Sequence, residues 1–246
     1  MISIRPVEGL PEIERGVPLG AMLATAAEPG PEEVVVVSQK AVSKAEGRIR
    51  DLATVEPGSR ALELARDLDK DPRLVELILG ESARVVRAER GVLIVETRSG
   101  LVCANAGVDM SNVPGAERVA LLPDDPDASA RRLRAEIVAA SGAAPAVVIA
   151  DSFGRPWRLG QTDVAIGCAG LAPLEDWRGR RDREGRALAA TAPAIADEAA
   201  AAADLARDKT SGAPAAVISG LGRHITFDDG PGAAALRRAE ADDLFR

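Results

Sequence analysis

The chain has no tyrosine and only five aromatic side chains, Trp157, Trp177, Phe153, Phe227 and Phe245. That leaves no stacking platform for single-stranded nucleic acid, and the core must be packed from Val, Leu, Ile and Ala. Basic charge is also in short supply. The 31 Lys and Arg residues stand against 38 Asp and Glu, for a net charge of −7, the wrong sign for a duplex-binding surface. Two cysteines, Cys103 and Cys168, make neither a disulfide framework nor a tetrahedral zinc site. Both lie in apolar runs and are expected to be buried free thiols. The single histidine, His224, would have to serve any Ser-His-Asp triad, and no Gly-x-Ser-x-Gly elbow accompanies it. A solvated or locally bonded imidazole is expected there. No apolar run approaches the roughly 20 residues of a membrane-spanning helix, and residues 1–6 carry no signal-peptide pattern. The expectation is a cytoplasmic protein with neither a membrane nor a nucleic acid as partner.

What remains is an ordinary folding composition, 46% apolar and 28% charged over 246 residues, long enough to bury a sizeable core. No boundary divides it clearly. Apolar runs at 34–37, 83–86, 92–96, 101–104, 146–150, 162–169 and 215–218 read as strands, with a hairpin turn across 89–91. Helical spacing covers 58–69, 72–79, 127–140 and an Ala-rich stretch at 188–207 that contains Pro193. Leu62 and Val138 are expected on apolar faces and Arg134 outside. The Arg-rich stretch 175–186 reads as a solvated loop, and the tail beyond residue 227 as peripheral. Alternating strands and helices make the fold class α/β in the broad sense, with mixed sheets.

Two polar segments about forty residues apart interrupt these apolar runs. Cys103-Ala-Asn-Ala-Gly-Val-Asp-Met-Ser-Asn-Val113 crowds Asp109, Ser111 and Asn112 into one loop. Val147-Val-Ile-Ala-Asp-Ser-Phe-Gly-Arg-Pro-Trp-Arg-Leu-Gly160 delivers Asp151 and Ser152 at the expected end of a strand, with Gly154 and Pro156 to stop it. Such residues also make good turns and helix caps. Taken as ligands, Asp109, Asp151 and Ser152 offer oxygen without imidazole or thiolate, which selects Mg²⁺ or Mn²⁺ over zinc or copper. A third segment, Ser38-Gln-Lys-Ala-Val-Ser-Lys-Ala-Glu-Gly47, brings hydroxyls and ammonium groups to a strand-to-helix junction that suits an anion, although it is not a Walker A loop. Lys40, Lys44 and Lys209 could neutralise phosphate oxygens. Arg155 and Arg158 are candidates for an anionic substrate, or for ion pairs with neighbouring carboxylates. Nucleotide chemistry is the economical reading. A metal-dependent phosphohydrolase and a non-catalytic nucleotide-binding protein remain as alternatives.

Leu10-Pro-Glu-Ile13, Ser38 to Arg48, Ala104 to Asn112, Ala150 to Arg158 and Gln161-Thr-Asp-Val-Ala-Ile-Gly167 occur in order and with compatible gaps. Together they resemble the coenzyme F420-0:L-glutamate ligase (F420-0:gamma-glutamyl ligase) family, with the likeness forming a core from about 10 to 221 of a single domain, 1–246. The resemblance implies an enzyme, a GTP-dependent acid–amino-acid ligase that joins L-glutamate to coenzyme F420-0 through an acyl phosphate. It also implies two divalent ions (Mg²⁺ or Mn²⁺) with K⁺, and an intertwined homodimer of mixed α/β architecture that is neither P-loop nor ATP-grasp. Carried over by motif, Asp109 and Asp151 hold the first metal, Ser152 holds the second, and Asp109, Asp151 and Lys44 serve catalysis. Leu10, Pro11, Glu12, Ile13, Ser38, Gln39, Lys44 and Asn112 contact the nucleotide, and the turn from about Leu205 to Gly212, with Lys209, Thr210, Ser211 and Gly212, wraps its guanine or phosphates. The family's turn has glycine before the lysine, whereas Asp208 stands here and adds negative charge near a phosphate.

Overall fold

The computed structural model describes residues 1–111, 115, 117–207 and 212–244. Its central sheet follows from the four consecutive valines at 34–37, all fully buried. A run apolar at every position has no solvent face and needs cover on both sides. Strand β1 is Ser3–Val7, followed by helix α1 (Leu19–Ala27), β2 (Val34–Ser38) and α2 (Gln39–Ala45). Then come β3 (Ile49–Asp51), α3 (Ser59–Leu68), α4 (Pro72–Gly80), β4 (Ser82–Glu89), β5 (Val92–Thr97), β6 (Val102–Ala104) and β7 (Arg118–Ala120). The remaining elements are α5 (Pro126–Ser141), β8 (Ala146–Arg155), β9 (Arg158–Ala169), α6 (Ile195–Ala206) and β10 (Ala215–Ser219).

The five-stranded sheet has the order β1-β10-β2-β8-β9, parallel only between β2 and β8. On one face Val35, Val37, Val147 and Ile149 pack with residues of α1 and α5 such as Leu23 and Ile137. On the other, Val34, Val36, Val148 and Ile218 meet the alanine stripe Ala196, Ala199, Ala200 and Ala203 of α6. A second layer packs α3 and α4 on the sheet β4-β5-β6, and β3 pairs with β7. Local sequence sets the boundaries. Asp71 caps α4, which has Pro72 in its first turn, and Asp125 caps α5 in the same manner ahead of Pro126. The β4–β5 hairpin turns on Arg90 and Gly91, both at positive φ (54° and 74°), the conformation that matches strand twist.

Several sequence expectations change. Within the Ala-rich stretch 188–207, Pro193 could mark the start of the helix or a kink, and the helix starts just after it at Ile195, because proline lacks the amide needed to continue a helix across it. The strands expected to end at 150 and begin at 162 run on to Arg155 and from Arg158, forming one long hairpin closed by Pro156 and Trp157. Asp151 and Ser152 therefore lie within a strand and not at its end. Leu62 and Val138 are exposed, whereas Arg134 turns inward, donating to Pro145 O at 3.0 Å and Asp229 Oδ1 at 2.9 Å. β1, α1, β3 and β7 were not legible.

Both cysteines are buried and free. His224 is buried rather than solvated and accepts a hydrogen bond from Arg223 Nε at 2.9 Å. The C-terminal segment is also less peripheral than expected. The buried Asp127 carboxylate accepts the amides of Cys168 (2.9 Å), Ala233 (2.7 Å) and Ala234 (3.1 Å), which ties β9 and residues 233–234 to the start of α5. Gly167 permits that approach, since a Cβ there would lie 2.3 Å from Pro126 O. Gly167→Ala is expected to lower stability by about 1–3 kcal/mol, read as a reduced urea midpoint with an unchanged m-value.

Candidate functional site

β8 extends past β2, whose last pair with it is Ser38 to Ala150. Beyond that point β9 is the only strand that pairs with β8 among the described residues. The vacated flank opens a cleft of about 2030 Å³ between the β8–β9 hairpin, the β2–α2 junction, the β4-β5-β6 sheet and the 10–13 segment. Common small-molecule pockets occupy about 300–1,000 Å³, so there is room for two ligands side by side. Its lining includes the polar side chains of Ser38, Lys40, Lys44, Asp109 and Asp151 and the apolar ones of Val86, Val92, Ile94 and Val102.

Successive strand residues face opposite sides, and this separates Asp151 from Ser152. Asp151 continues the series Val147, Ile149 and shares its side with Phe153, toward the α1/α5 core. Ser152 continues Ala146, Val148, Ala150, toward α6. Each side is polar in its own way.

On the Asp151 side, Asp109 arrives on the chain leaving β6. Its backbone pairs with Ala120, N to O at 3.0 Å and back at 2.8 Å. Lys40 Nζ lies 2.8 Å from Asp109 Oδ2 and 2.7 Å from Ser111 Oγ. Ser111 donates its amide to Asp109 Oδ1 (2.7 Å) and its hydroxyl to Oδ2 (3.0 Å). Burial pulls the Asp109 carboxyl upward, but the hydrogen bonds from Lys40 and Ser111 outweigh it and hold the group below its ordinary value. Asp151 goes the other way. Burial is the main cause, with the negative charges of Asp163 and Asp109 adding to it against the Ser152 amide and Lys40, and the carboxyl is pushed up to about 7. Cys103 sits nearby with its thiol raised to about 12 by burial and by Asp151, which removes it as a nucleophile at neutral pH.

On the Ser152 side, Ser152 Oγ donates to Asp163 Oδ1 at 2.6 Å, and Arg207 Nη2 donates to Asp163 Oδ2 at 2.5 Å. The Asp163 and Arg207 side chains are both less than a tenth exposed. Lys44 Nζ pairs with Glu12 Oε1 at 2.6 Å, joining the 10–13 segment to α2.

The cleft thus gathers Leu10, Pro11, Glu12, Ile13, Ser38, Lys44, Asp109, Asp151, Ser152, Arg155 and Gly212 from the sequence-based candidates. Gln39 does not line the cleft with its side chain. Its side chain is buried beneath α2, with Nε2 donating to Ser43 Oγ (2.7 Å) and Leu121 O (3.0 Å), so the amide group does not reach the cleft. Arg158 lies off the cleft wall, and Arg155 Nη2 is engaged with Leu159 O at 2.5 Å across the hairpin turn. Asn112, Lys209, Thr210 and Ser211 lie outside the described residues. Sequence reasoning gave no role to Asp163, and it placed Arg207 only within the nucleotide-wrapping turn from about Leu205 to Gly212. The missing signal was register, because Asp163 is read as the cross-strand partner of Ser152 only once the hairpin's full length is known.

The donors suit a hard divalent cation. Asp109, Asp151 and the Ser152 hydroxyl are all oxygen ligands, and Asp151 feels uncompensated negative neighbours that a cation would relieve. Among the described residues no group of three or more His, Cys, Asp or Glu converges on one point, so waters and substrate phosphates would complete the coordination, as is usual for Mg²⁺.

Fold and cleft define a mixed α/β protein whose large groove combines carboxylates, lysines and hydroxyls with apolar side chains. Comparison with known proteins narrows the class: the model of the F420-0:Gamma-glutamyl ligase family matches residues 9–220, and the chain belongs to that family. The coenzyme F420:L-glutamate ligase of Methanothermobacter thermautotrophicus is 41% identical over 251 residues, covering 100% of this chain and 99% of the relative. Its namesakes from Haloarcula marismortui (42% over 252 residues, 100% and 96%) and Methanopyrus kandleri (41% over 247 residues, 100% and 98%) are similar to the same extent. No helix among the described residues is long and apolar enough to cross a membrane.

The Asp151 shift has a definite sign for stability. Its folded-state value lies above the ordinary one, so the metal-free fold keeps a proton that the unfolded chain releases. That contribution is complete below the ordinary carboxylate range and is lost as pH rises to about 7. Asp109, shifted downward, acts below this window. Urea unfolding in EDTA should therefore show stability falling through the window, and Asp151→Asn should flatten that slope.

Proposed function

We propose that the protein is a GTP-dependent coenzyme F420-0:L-glutamate ligase acting as a cytoplasmic homodimer. The observation that carries this reading is similarity over essentially the full length of relatives bearing that name. The size of the cleft and its mixture of charged and apolar side chains support it, since the reaction must hold a nucleotide and an anionic heterocyclic acceptor together.

In this reading Ser38 and Lys44, with the 10–13 segment that Lys44 holds through Glu12, cradle the nucleotide phosphates. Arg155 steers the acceptor's anionic groups. The γ-phosphoryl group passes from GTP to the acceptor carboxylate, breaking the bond to GDP and forming an acyl phosphate. The amine of glutamate, having lost its proton, attacks the carbonyl carbon and expels phosphate, leaving an amide. A second glutamate can join the first through its γ-carboxylate. Two divalent ions, Mg²⁺ or Mn²⁺, held by Asp109 with Asp151 and by Ser152, and assisted by K⁺, would offset the negative charge gathered on the transferring phosphoryl group. Lys40 is placed to exchange its present partner Asp109 for a phosphate oxygen once a cation takes over that carboxylate.

The test is mass spectrometry of F420-0 incubated with the protein, L-glutamate, Mn²⁺ and either GTP or ATP. Gains of one or two glutamyl units with GTP are expected. Phosphate release without any gain, and independent of glutamate, would instead indicate a phosphohydrolase. Asp109→Asn and Asp151→Asn should each lower glutamyl transfer at least about 100-fold, the loss of several kcal/mol of charge compensation, while circular dichroism shows the fold retained.

A further inference from the structure

The Ser152 hydroxyl has one proton, and the structure shows where it goes. Asp163 Oδ1, 2.6 Å away, is a carboxylate oxygen that can only accept. Ser152 and Asp163 face each other across the β8–β9 hairpin, so the pair is fixed by strand register and not by a mobile loop. The other oxygen, Oδ2, is held at 2.5 Å by Arg207 Nη2 from the C-terminal end of α6. All three residues contribute to the cleft wall. Arg207 is itself buried, and its Nε has no hydrogen-bond partner among the described residues.

A buried ion pair of this kind is a poor device for stability, because desolvating both charges offsets most of their attraction, and apolar replacements of similar volume are often tolerated or stabilising. It is a good device for orientation. A carboxylate clamped by a guanidinium cannot rotate away, and a hydroxyl whose proton is committed to that carboxylate has its lone pairs left for another group. Outer partners that orient a ligand in this way commonly change metal affinity or activity by about 10- to 100-fold when removed.

We propose that Asp163 and Arg207 are positioning residues that hold the Ser152 hydroxyl as an acceptor aimed into the cleft, toward a divalent cation on the α6 side of the hairpin. Asp109 and Asp151 serve the opposite side. The proposal rests on the ligase reading only for the assignment of Ser152 as a cation ligand.

The decisive variant is Asp163→Leu combined with Arg207→Met, which removes the pair as a unit and leaves no unpaired buried charge. It should melt within a few degrees of wild type, yet bind Mn²⁺ at the Ser152 site about 10- to 100-fold more weakly in electron paramagnetic resonance titrations of the full chain. The kcat of glutamyl transfer should fall by a similar factor, with the KM for F420-0 unchanged. Adding Ser152→Ala should cost nothing further, since the hydroxyl has already lost its orientation. Wild-type Mn²⁺ affinity in the apolar pair variant, or a full additional loss on adding Ser152→Ala, would overturn the proposal. So would an absence of Mn²⁺ binding by the wild-type chain. Should the apolar pair fail to fold, the isosteric Asp163→Asn gives the same comparison: non-additivity with Ser152→Ala supports the positioning role, and additivity removes it. Coupled Mn²⁺ binding in a wild-type chain that forms no glutamylated product would defeat the ligase reading while leaving the positioning role intact.

Discussion

The site depends on a mismatch in strand length. β2 ends at Ser38, opposite Ala150, while β8 continues to Arg155. Up to Ala150 the strand is enclosed by neighbours and helices, and its sequence is accordingly apolar. From Asp151 onward one flank has no paired strand among the described residues, and polar side chains can be tolerated there and exposed to a ligand. Because the strand still alternates, two adjacent residues in the chain address two different compartments. No loop could hold two such groups back to back as firmly as a hairpin paired along its length.

The carboxylates around this point differ in how their charge is balanced. Asp109 has a lysine and a serine, Asp163 has a buried arginine and a serine, and Asp151 has the Ser152 amide with Lys40 at longer range. The consequence is a gradient of electrostatic need. Asp163 is satisfied by the protein itself, Asp109 is satisfied by a partly exposed lysine that can be displaced, and Asp151 is the least compensated of the three. A cation bound between the last two would relieve Asp151 and, by taking over the Asp109 carboxylate, would release Lys40. Local charge imbalance is thus arranged around the ligand at the expense of the ligand-free fold, a common pattern where binding sites and stability compete.

Much of this was legible in the sequence wherever local rules decide. The valine run at 34–37, the α3 and α4 helices and the hairpin across residues 89–91 follow from periodicity and turn chemistry. Asp109, Asp151 and Ser152 stand out because they interrupt apolar runs beside glycine. The failures share one cause, which is that they depend on distant residues. β1, with Pro6 inside it, is a strand only because β10 lies alongside, and a proline there is tolerated at a sheet edge. Arg134 points inward because Asp229 waits for it, and Gln39 leaves the cleft because Leu121 O offers it a bond. The length of the β8–β9 hairpin was masked by Gly154 and Pro156, which read as stop signals but serve within the strand and its turn.

The order β1-β10-β2 has a kinetic meaning. Residues 215–219 form the strand that sits between residues 3–7 and 34–38, so the sheet has a vacant slot until nearly the whole chain is available to fill it. During synthesis β2 can find β8 only after more than a hundred intervening residues have emerged, and β1 has no partner before β10 appears. Such long-range pairings make folding slow and leave unpaired strand edges exposed on the way. The sheet that positions the cleft is therefore the last part of the molecule to close, and the burden of protecting it falls on whatever shelters the growing chain.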